Sequence, residues 1–357
     1  MKNHVSSHFA TRNRGKKSVL MNLKNPDQKA LFLKMVETAD AVIENFKPGT
    51  MSKFGIDYEL LKSINPKIVY TSISGYGQEG PYANCPAFDQ TVQAESGVMS
   101  VTGPAGGEPV KAGASIADYS AGLYACIGTL MGIIDAKTTG QGRRVDVSMM
   151  ESLMLSLENL LSVYLIDKKI PGPMGNSYAS SAPIGAYKCK DGKPLMVTVG
   201  TDAQWKGFCE AMEQPQWYAK PEWETMIGRA NDSQAIDAEV NRVFGELTCE
   251  EVCGKLRAHN MVFGRINNFE DVANHPQVQY RKSFVHAAFP NGTTFTVPGN
   301  PMIMSGVGRE TEYTAAELGQ DTFAVLREVA DESVLHELFD ETIAQAGAAA
   351  AQKYAKS

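Results

Sequence analysis

Apolar and polar positions alternate in two rhythms between Ser18 and Ser74. Ser18 to Leu23 reads as a short buried strand, and Ala41-Val42-Ile43 as a second. Between them Asn25-Pro26-Asp27 is a cap-and-proline helix start, with Ala30, Leu31, Leu33, Met35 and Val36 on the apolar face. Asp57 to Ile64 predicts another helix, stopped by Asn65-Pro66. Ile68 to Ser74, rich in Val, Tyr, Thr and Ile, predicts a third strand. Strands separated by helical segments imply an α/β fold, a parallel sheet covered by helices and joined by right-handed crossovers.

After Gly113 the rhythm changes. Asp118 stands before Tyr119 to Ala136, a segment apolar nearly all round, which predicts a buried helix with Asp118 at its N-cap. Thr139-Gly140-Gln141-Gly142 ends it, Arg144 to Ser148 alternates as a strand, and Met149 to Ile166 predicts one long helix. Lys168 to Pro183 is loop-like. Gly185 to Val199 reads as two strands turning at Asp191-Gly192, followed by helices carrying Trp205 and Phe208. Val285 to Val297 is a second hairpin pattern, turning at Pro290-Asn291-Gly292, and helix returns after about residue 310. The expected organisation is a large α/β domain over 1–187, an inserted smaller α+β domain over 188–310, and a helical return over 311–357.

Composition narrows the classes. The 357 residues are 43% hydrophobic and 21% charged, ordinary for a globular chain. No run approaches the ~20 continuous apolar residues of a membrane span. The polar, basic start lacks the apolar core of a secretory signal. These features predict a cytoplasmic protein without a membrane partner. The net charge of −6 and pI near 5.6 argue against nucleic acid as a partner. Six cysteines form no CxxC pair, although Cys249 and Cys253 stand one helical turn apart, and six histidines show no metal-ligand spacing. No metal is expected.

Three motifs invite chemistry. Gly75-Tyr76-Gly77-Gln78-Glu79-Gly80 matches GxGxxG after a strand, but Pro81 and Pro86 follow where a dinucleotide fold needs a helix; a glycine-rich turn is the plainer reading. Gly113-Ala114-Ser115-Ile116-Ala117 nearly spells the GxSxG elbow but ends in alanine. Asp118 alone reads as a capping aspartate, and its company changes that reading.

In order, Asn13-Arg14-Gly15-Lys16-Lys17-Ser18-Val19, Glu44-Asn45-Phe46-Lys47-Pro48-Gly49, Ser74-Gly75-Tyr76-Gly77, Phe88-Asp89-Gln90, Ser96-Gly97-Val98-Met99, Ile116-Ala117-Asp118-Tyr119, Thr139-Gly140-Gln141-Gly142-Arg143, Ala182-Pro183 and Leu318-Gly319 run almost the whole chain. This series resembles the class III CoA-transferases, the CaiB/BaiF family that includes formyl-CoA:oxalate CoA-transferase. The resemblance implies a Rossmann-like large domain that binds CoA, an interlocked homodimer, and acyl-CoA and a carboxylic acid as substrates, with no tightly bound cofactor. The family's opening strand, Gly-Pro turn and helix have no counterpart here; the match starts at the segment that follows them.

By the same resemblance Asp118 is the covalent nucleophile. It passes through an aspartyl–acyl anhydride and an aspartyl-CoA thioester, which divides one hard exchange into easier steps. Asp89 is a second, substrate-positioning carboxylate. Met21 and Lys24 match adenine- and phosphate-side contacts, Asn45, Phe46 and Lys47 the loop along CoA, and Lys53 with Phe54 an arginine–apolar pair there. Pro86, Ala87 and Phe88 lie in the active-site segment. A basic run agrees with a polyanionic ligand: Lys2, Arg12, Arg14, Lys16, Lys17 and Lys24 with no acid among them. Backbone N–H groups of Gly106-Gly107 and of Gly172 to Ala182 are candidates for an oxyanion site. An acyl-CoA racemase of the same superfamily places histidine just before the aspartate that is here Asp89. That position is Phe88, so proton exchange lacks its base. A non-catalytic CoA-binding or assembly subunit is the alternative from a different class.

Overall fold

The computed structural model describes residues 6–178 and 180–355; Lys2 of the basic run lies outside them. The fold is α/β. Described residues form three three-stranded sheets: β1 (Ala41–Glu44), β2 (Val69–Ser74) and β3 (Arg144–Ser148); β4 (Ile184–Lys188), β5 (Pro194–Thr198) and β6 (Val262–Arg265); and β7 (Phe284–Ala288), β8 (Thr294–Pro298) and β9 (Glu312–Thr314). The chain makes two compact units, Met1–Ile73 with Ala125–Asp146 and Phe269–Ser357, and Ser74–Tyr124 with Val147–Asn268.

In the first unit β1 and β2 run parallel, Ala41 opposite Val69, in the order β1-β2-β3. The helix Pro26–Val36 starts where its cap predicts, since Asn25 Oδ1 accepts from the N–H groups of Asp27 and Gln28 at 2.9 and 3.2 Å. Asp57 caps Tyr58–Ile64 in the same way. Val36, Met51, Ile56, Leu61, Ile68 and Tyr70 form the core between these elements. The expected strand over Ser18 to Leu23 is absent. The segment is bonded instead to the start of a distant helix, Ser18 N–H donating to Asp321 Oδ2 at 2.8 Å, Leu20 N–H to Thr322 Oγ1 at 3.0 Å, and Asp321 N–H to the Ser18 carbonyl at 2.9 Å. These partners sit at the start of a helix and offer no ladder. The β7–β9 sheet closes on the N-terminal segment, Tyr313 donating to the carbonyl of Ala10 at 2.6 Å. Residues 269–310 thus belong to this unit, whereas the sequence pattern grouped them with 188–268.

The long helix runs Ile116–Thr139 and overturns two expectations. It begins at Ile116, with Ser115 C=O accepting from Tyr119 N–H, so Asp118 is its third residue rather than its cap. It also buries its small residues, among them Ala121, Ala125, Thr129 and Ala136, and exposes Leu123, Ile127, Leu130, Met131 and Ile134. Close approach to the sheet is the reason. A Cβ on Gly128 would stand 2.7 Å from Val145, and one on Gly132 2.8 Å from Val69. This helix is long and apolar enough, by length and composition, to cross a membrane. Its packing on β2 and β3, with Thr129 hydrogen-bonded to Thr71 at 2.7 Å, is that of a sheet-covering helix.

In the second unit the predicted single helix over Met149 to Ile166 is two, Met149–Ser156 and Glu158–Asp167, bent by 83°. The β4–β5 hairpin turns at Gly192, whose φ of +79° favours glycine. Trp205, Phe208 and Trp217 stack at 6.1 Å over this sheet. Fully buried Arg229 is bonded to Asp202 and to the carbonyls of Ala182, Trp223 and Glu224.

Candidate active site

In the second unit, Gly75 follows the carboxyl end of β2, and the segment Pro86–Phe88 passes directly over it. A Cβ on Gly75 would stand 2.2 Å from the Ala87 Cβ. Phe88 is 75% exposed and starts the short helix Asp89–Glu95. Asp89, by contrast, is buried and fully engaged. Its Oδ1 accepts from the N–H groups of Ala117 and Asp118 at 2.8 and 3.4 Å, and its Oδ2 from Gln93 Nε2 at 2.6 Å. The carboxylate of one helix therefore caps the start of another, satisfying N–H groups that the long helix cannot satisfy itself. Asp118 is exposed in that first turn, where the helix dipole favours an anion.

In the first unit a second set gathers beyond the carboxyl end of β1, where open α/β sheets take their ligands. Asn45 Nδ2 donates to the Ile73 carbonyl at 2.7 Å, and buried Glu44 accepts from Phe46 N–H at 2.7 Å, so the loop is tied to the sheet at both of its first residues. Burial, and then the neighbouring Glu44 carboxylate, push the Tyr70 phenol up to about 12. Phe46 and Phe54 meet edge to face at 6.5 Å, and Lys47 and Lys53 extend into solvent beside them. Lys24 is exposed as well, while Met21 packs half-buried against the cluster of Leu31, Leu326, Leu335 and Phe339. The arrangement offers an edge-to-face aromatic pair flanked in sequence by two exposed lysines.

Other candidates are accounted for differently. Gly75 to Gly80 forms turns with no helix behind it. The N–H groups of Gly106 and Gly175 donate to Pro173 and Gly103 carbonyls, and that of Gly107 to Pro104, so these three are already bonded within the loops. Ser115 is the residue preceding a helix rather than the tip of a strand–turn–helix elbow. Cys249 and Cys253 lie 4.0 Å apart on the helix Cys249–Ala258, buried with Cys189; burial pushes the Cys189 thiol up to about 12. Gln93 escaped the sequence reading, although its place four residues after Asp89 marks the same helix face.

The profile of CoA-transferase family III matches residues 1–322. The chain belongs to that family. It is 33% identical over 331 residues to the succinate–glutarate CoA-transferase of Agrobacterium fabrum, covering 92% of this chain and 82% of that protein. It is 31% identical over 323 residues to the acetyl-CoA:oxalate CoA-transferase of Acetobacter aceti, 90% of this chain and 82% of the other. The crystal structure of a CAIB/BAIF family protein from Brucella suis superposes with a TM-score of 0.79 at 29% identity, over 91% of this chain and 84% of that one. This family III chain is a CoA-transferase, with a CoA thioester as substrate.

Proposed function

We propose that the protein exchanges CoA between an acyl-CoA and a free carboxylic acid by covalent catalysis at Asp118. A carboxylate oxygen of Asp118 attacks the thioester carbonyl; the C–O bond forms, the C–S bond breaks, and CoA leaves as thiolate. The thiolate then attacks the aspartyl carbonyl, releasing the donor acid and leaving an aspartyl-CoA thioester. The acceptor carboxylate attacks that thioester and expels the thiolate, which attacks the acceptor's acyl carbon and restores Asp118. Carboxylates and a thiolate exchange places as nucleophile and leaving group, so no net proton moves. A site with phenylalanine at position 88 and no histidine beside Asp89 suits such chemistry.

The observation that carries this reading is the exposed Asp118 in a helix turn whose N–H groups Asp89 caps from outside. In the same proposal Asn45, Phe46, Lys47, Lys53 and Phe54 hold CoA, with Met21 and Lys24 at its adenine and phosphate end, and Pro86, Ala87 and Phe88 line the acyl side. Oxalate, succinate and glutarate, the acids in the relatives' names, are the first acceptors to try. The protein acts as a cytoplasmic homodimer, and the exposed apolar side of Ile116–Thr139 is the surface a second copy would cover. Incubation with acyl-CoA should leave a hydroxylamine-sensitive adduct on Asp118, and Asp118→Ala should abolish exchange; undiminished exchange in that variant refutes the mechanism.

A further inference from the structure

We infer that Gln93 is a positioning residue for the nucleophile, its amide joining the two segments that fix the start of the helix bearing Asp118. The inference rests on Asp118 being that nucleophile. Gln93 is wholly buried, and a buried amide is tolerated only when its polar atoms are bonded. Here they are. Nε2 donates to Asp89 Oδ2 at 2.6 Å and to the Ala114 carbonyl at 3.3 Å, while Oε1 accepts from Ala112 N–H at 2.8 Å. A flipped amide would set oxygen against two oxygens and NH2 against an N–H, so the surroundings settle its orientation.

One hydrogen-bonded line thus runs from the loop before the helix, through Gln93 and Asp89, to the N–H groups of Ala117 and Asp118. An apolar side chain of equal size would fill the same space and leave Asp89 Oδ2 and Ala112 N–H without these partners. An acidic residue at the third helical position commonly turns back to cap its own helix. Asp89, held by Gln93, instead caps the Ala117 and Asp118 N–H groups from a neighbouring helix, which fixes the backbone of the turn that carries Asp118. With Gln93 removed, Asp89 Oδ2 loses its partner and the carboxylate is held through Oδ1 alone, which loosens the helix start that carries Asp118.

Two variants test this in the whole 357-residue chain. Gln93→Met keeps the volume and deletes the bonds. It should lower kcat about 10- to 100-fold, the scale of a small misplacement of reacting groups, with KM for acyl-CoA unchanged, slower adduct formation on Asp118 and a cooperative melt retained. Gln93→Glu sets a carboxyl 2.6 Å from Asp89, where the pair shares one proton. The protonated acid donates as the amide does. Exchange should therefore stay near the wild-type rate at low pH and fall as pH rises and the shared proton leaves, a limb absent from wild type. The other ionisable groups on the surrounding elements include Glu95 on the same helix, Tyr76, whose phenol is hydrogen-bonded to Thr91 there, Lys111 in the loop, Asp118 and Tyr119 on the long helix, and Glu151 on Met149–Ser156. A role confined to stability would move the melting temperature and leave kcat and the pH profile alone. A folded Gln93→Met with wild-type kcat and adduct rate overturns the inference; should that variant not fold, the absence of the alkaline loss in Gln93→Glu does so. Wild type without adduct, with Asp118→Ala still active, overturns the nucleophile and the positioning role together.

Discussion

Gly75→Ala is a small perturbation whose consequence can be worked from distances. The added methyl would stand 2.2 Å from the Ala87 Cβ, against an optimal carbon–carbon separation of about 3.5–4.0 Å. The two segments must part by more than ~1 Å, because neither atom is the end of a flexible side chain. Over-packing of this kind costs about 1–3 kcal/mol, a fall in melting temperature of about 2–6 °C. Ala87 precedes Phe88 and Asp89, so the displacement reaches the carboxylate that caps the helix of Asp118, and exchange should drop about 10²-fold. A second substitution makes the test stricter. Once the Ala87 methyl is gone, the new Cβ at position 75 meets the Cα of residue 87 at 3.7 Å, an ordinary contact. Gly75→Ala/Ala87→Gly should therefore recover most of the lost stability and activity, measured by calorimetric melting and by exchange between acyl-CoA and a dicarboxylate. Gly75→Ala that melts and turns over like wild type refutes the argument, and so does a double variant no better than the single one.

The loop beyond β1 gives a second prediction. Phe46 is 48% exposed, and covering that surface with an adenine or pantetheine stabilises the complex by about 1 kcal/mol. Phe46→Ala should weaken CoA about 5- to 10-fold and Lys47→Glu about 3- to 10-fold, the latter effect fading with salt; calorimetry with unchanged Kd in both excludes this loop from the site. The thiols give a third. The thiolate is the reactive form, and burial pushes Cys189 and Cys209 up to about 12 and Cys249 upward. At pH 8 a disulfide reagent should label exposed Cys85 quickly and leave the four buried cysteines until the protein unfolds. Cys126, on the exposed side of Ile116–Thr139, should label quickly in a monomer and slowly where light scattering finds a dimer. Equal rates in both states refute the placement of the dimer surface.

Local signals decided much of this protein. Asn25-Pro26, Asp57, Asp191-Gly192 and Asn291-Gly292 act through bonds and backbone angles within a few residues, so their helices and hairpins stand where the pattern put them. The ordered series of short motifs was enough to place the chain in its family, and it pointed to Asp118 and the Asn45–Lys47 loop before any geometry was known. Other features depend on groups far apart in sequence. Ser18 to Leu23 has the residues of a strand but finds its partners near Asp321, over three hundred positions away, and those partners are two side chains and an N–H at a helix start rather than a neighbouring strand. An all-apolar helix reads as buried, yet Gly128 and Gly132 bring its small face against the sheet and leave the large residues outside. A sequence records how apolar a helix is; it does not say which side finds a neighbour. The same holds at the site. Sequence supplied Asp89 and Asp118 as two carboxylates, and tertiary structure made one the cap of the other's helix, with Gln93 holding it there. Capping across elements needs a donor and an acceptor brought together by folding, and that distance is written only in three dimensions.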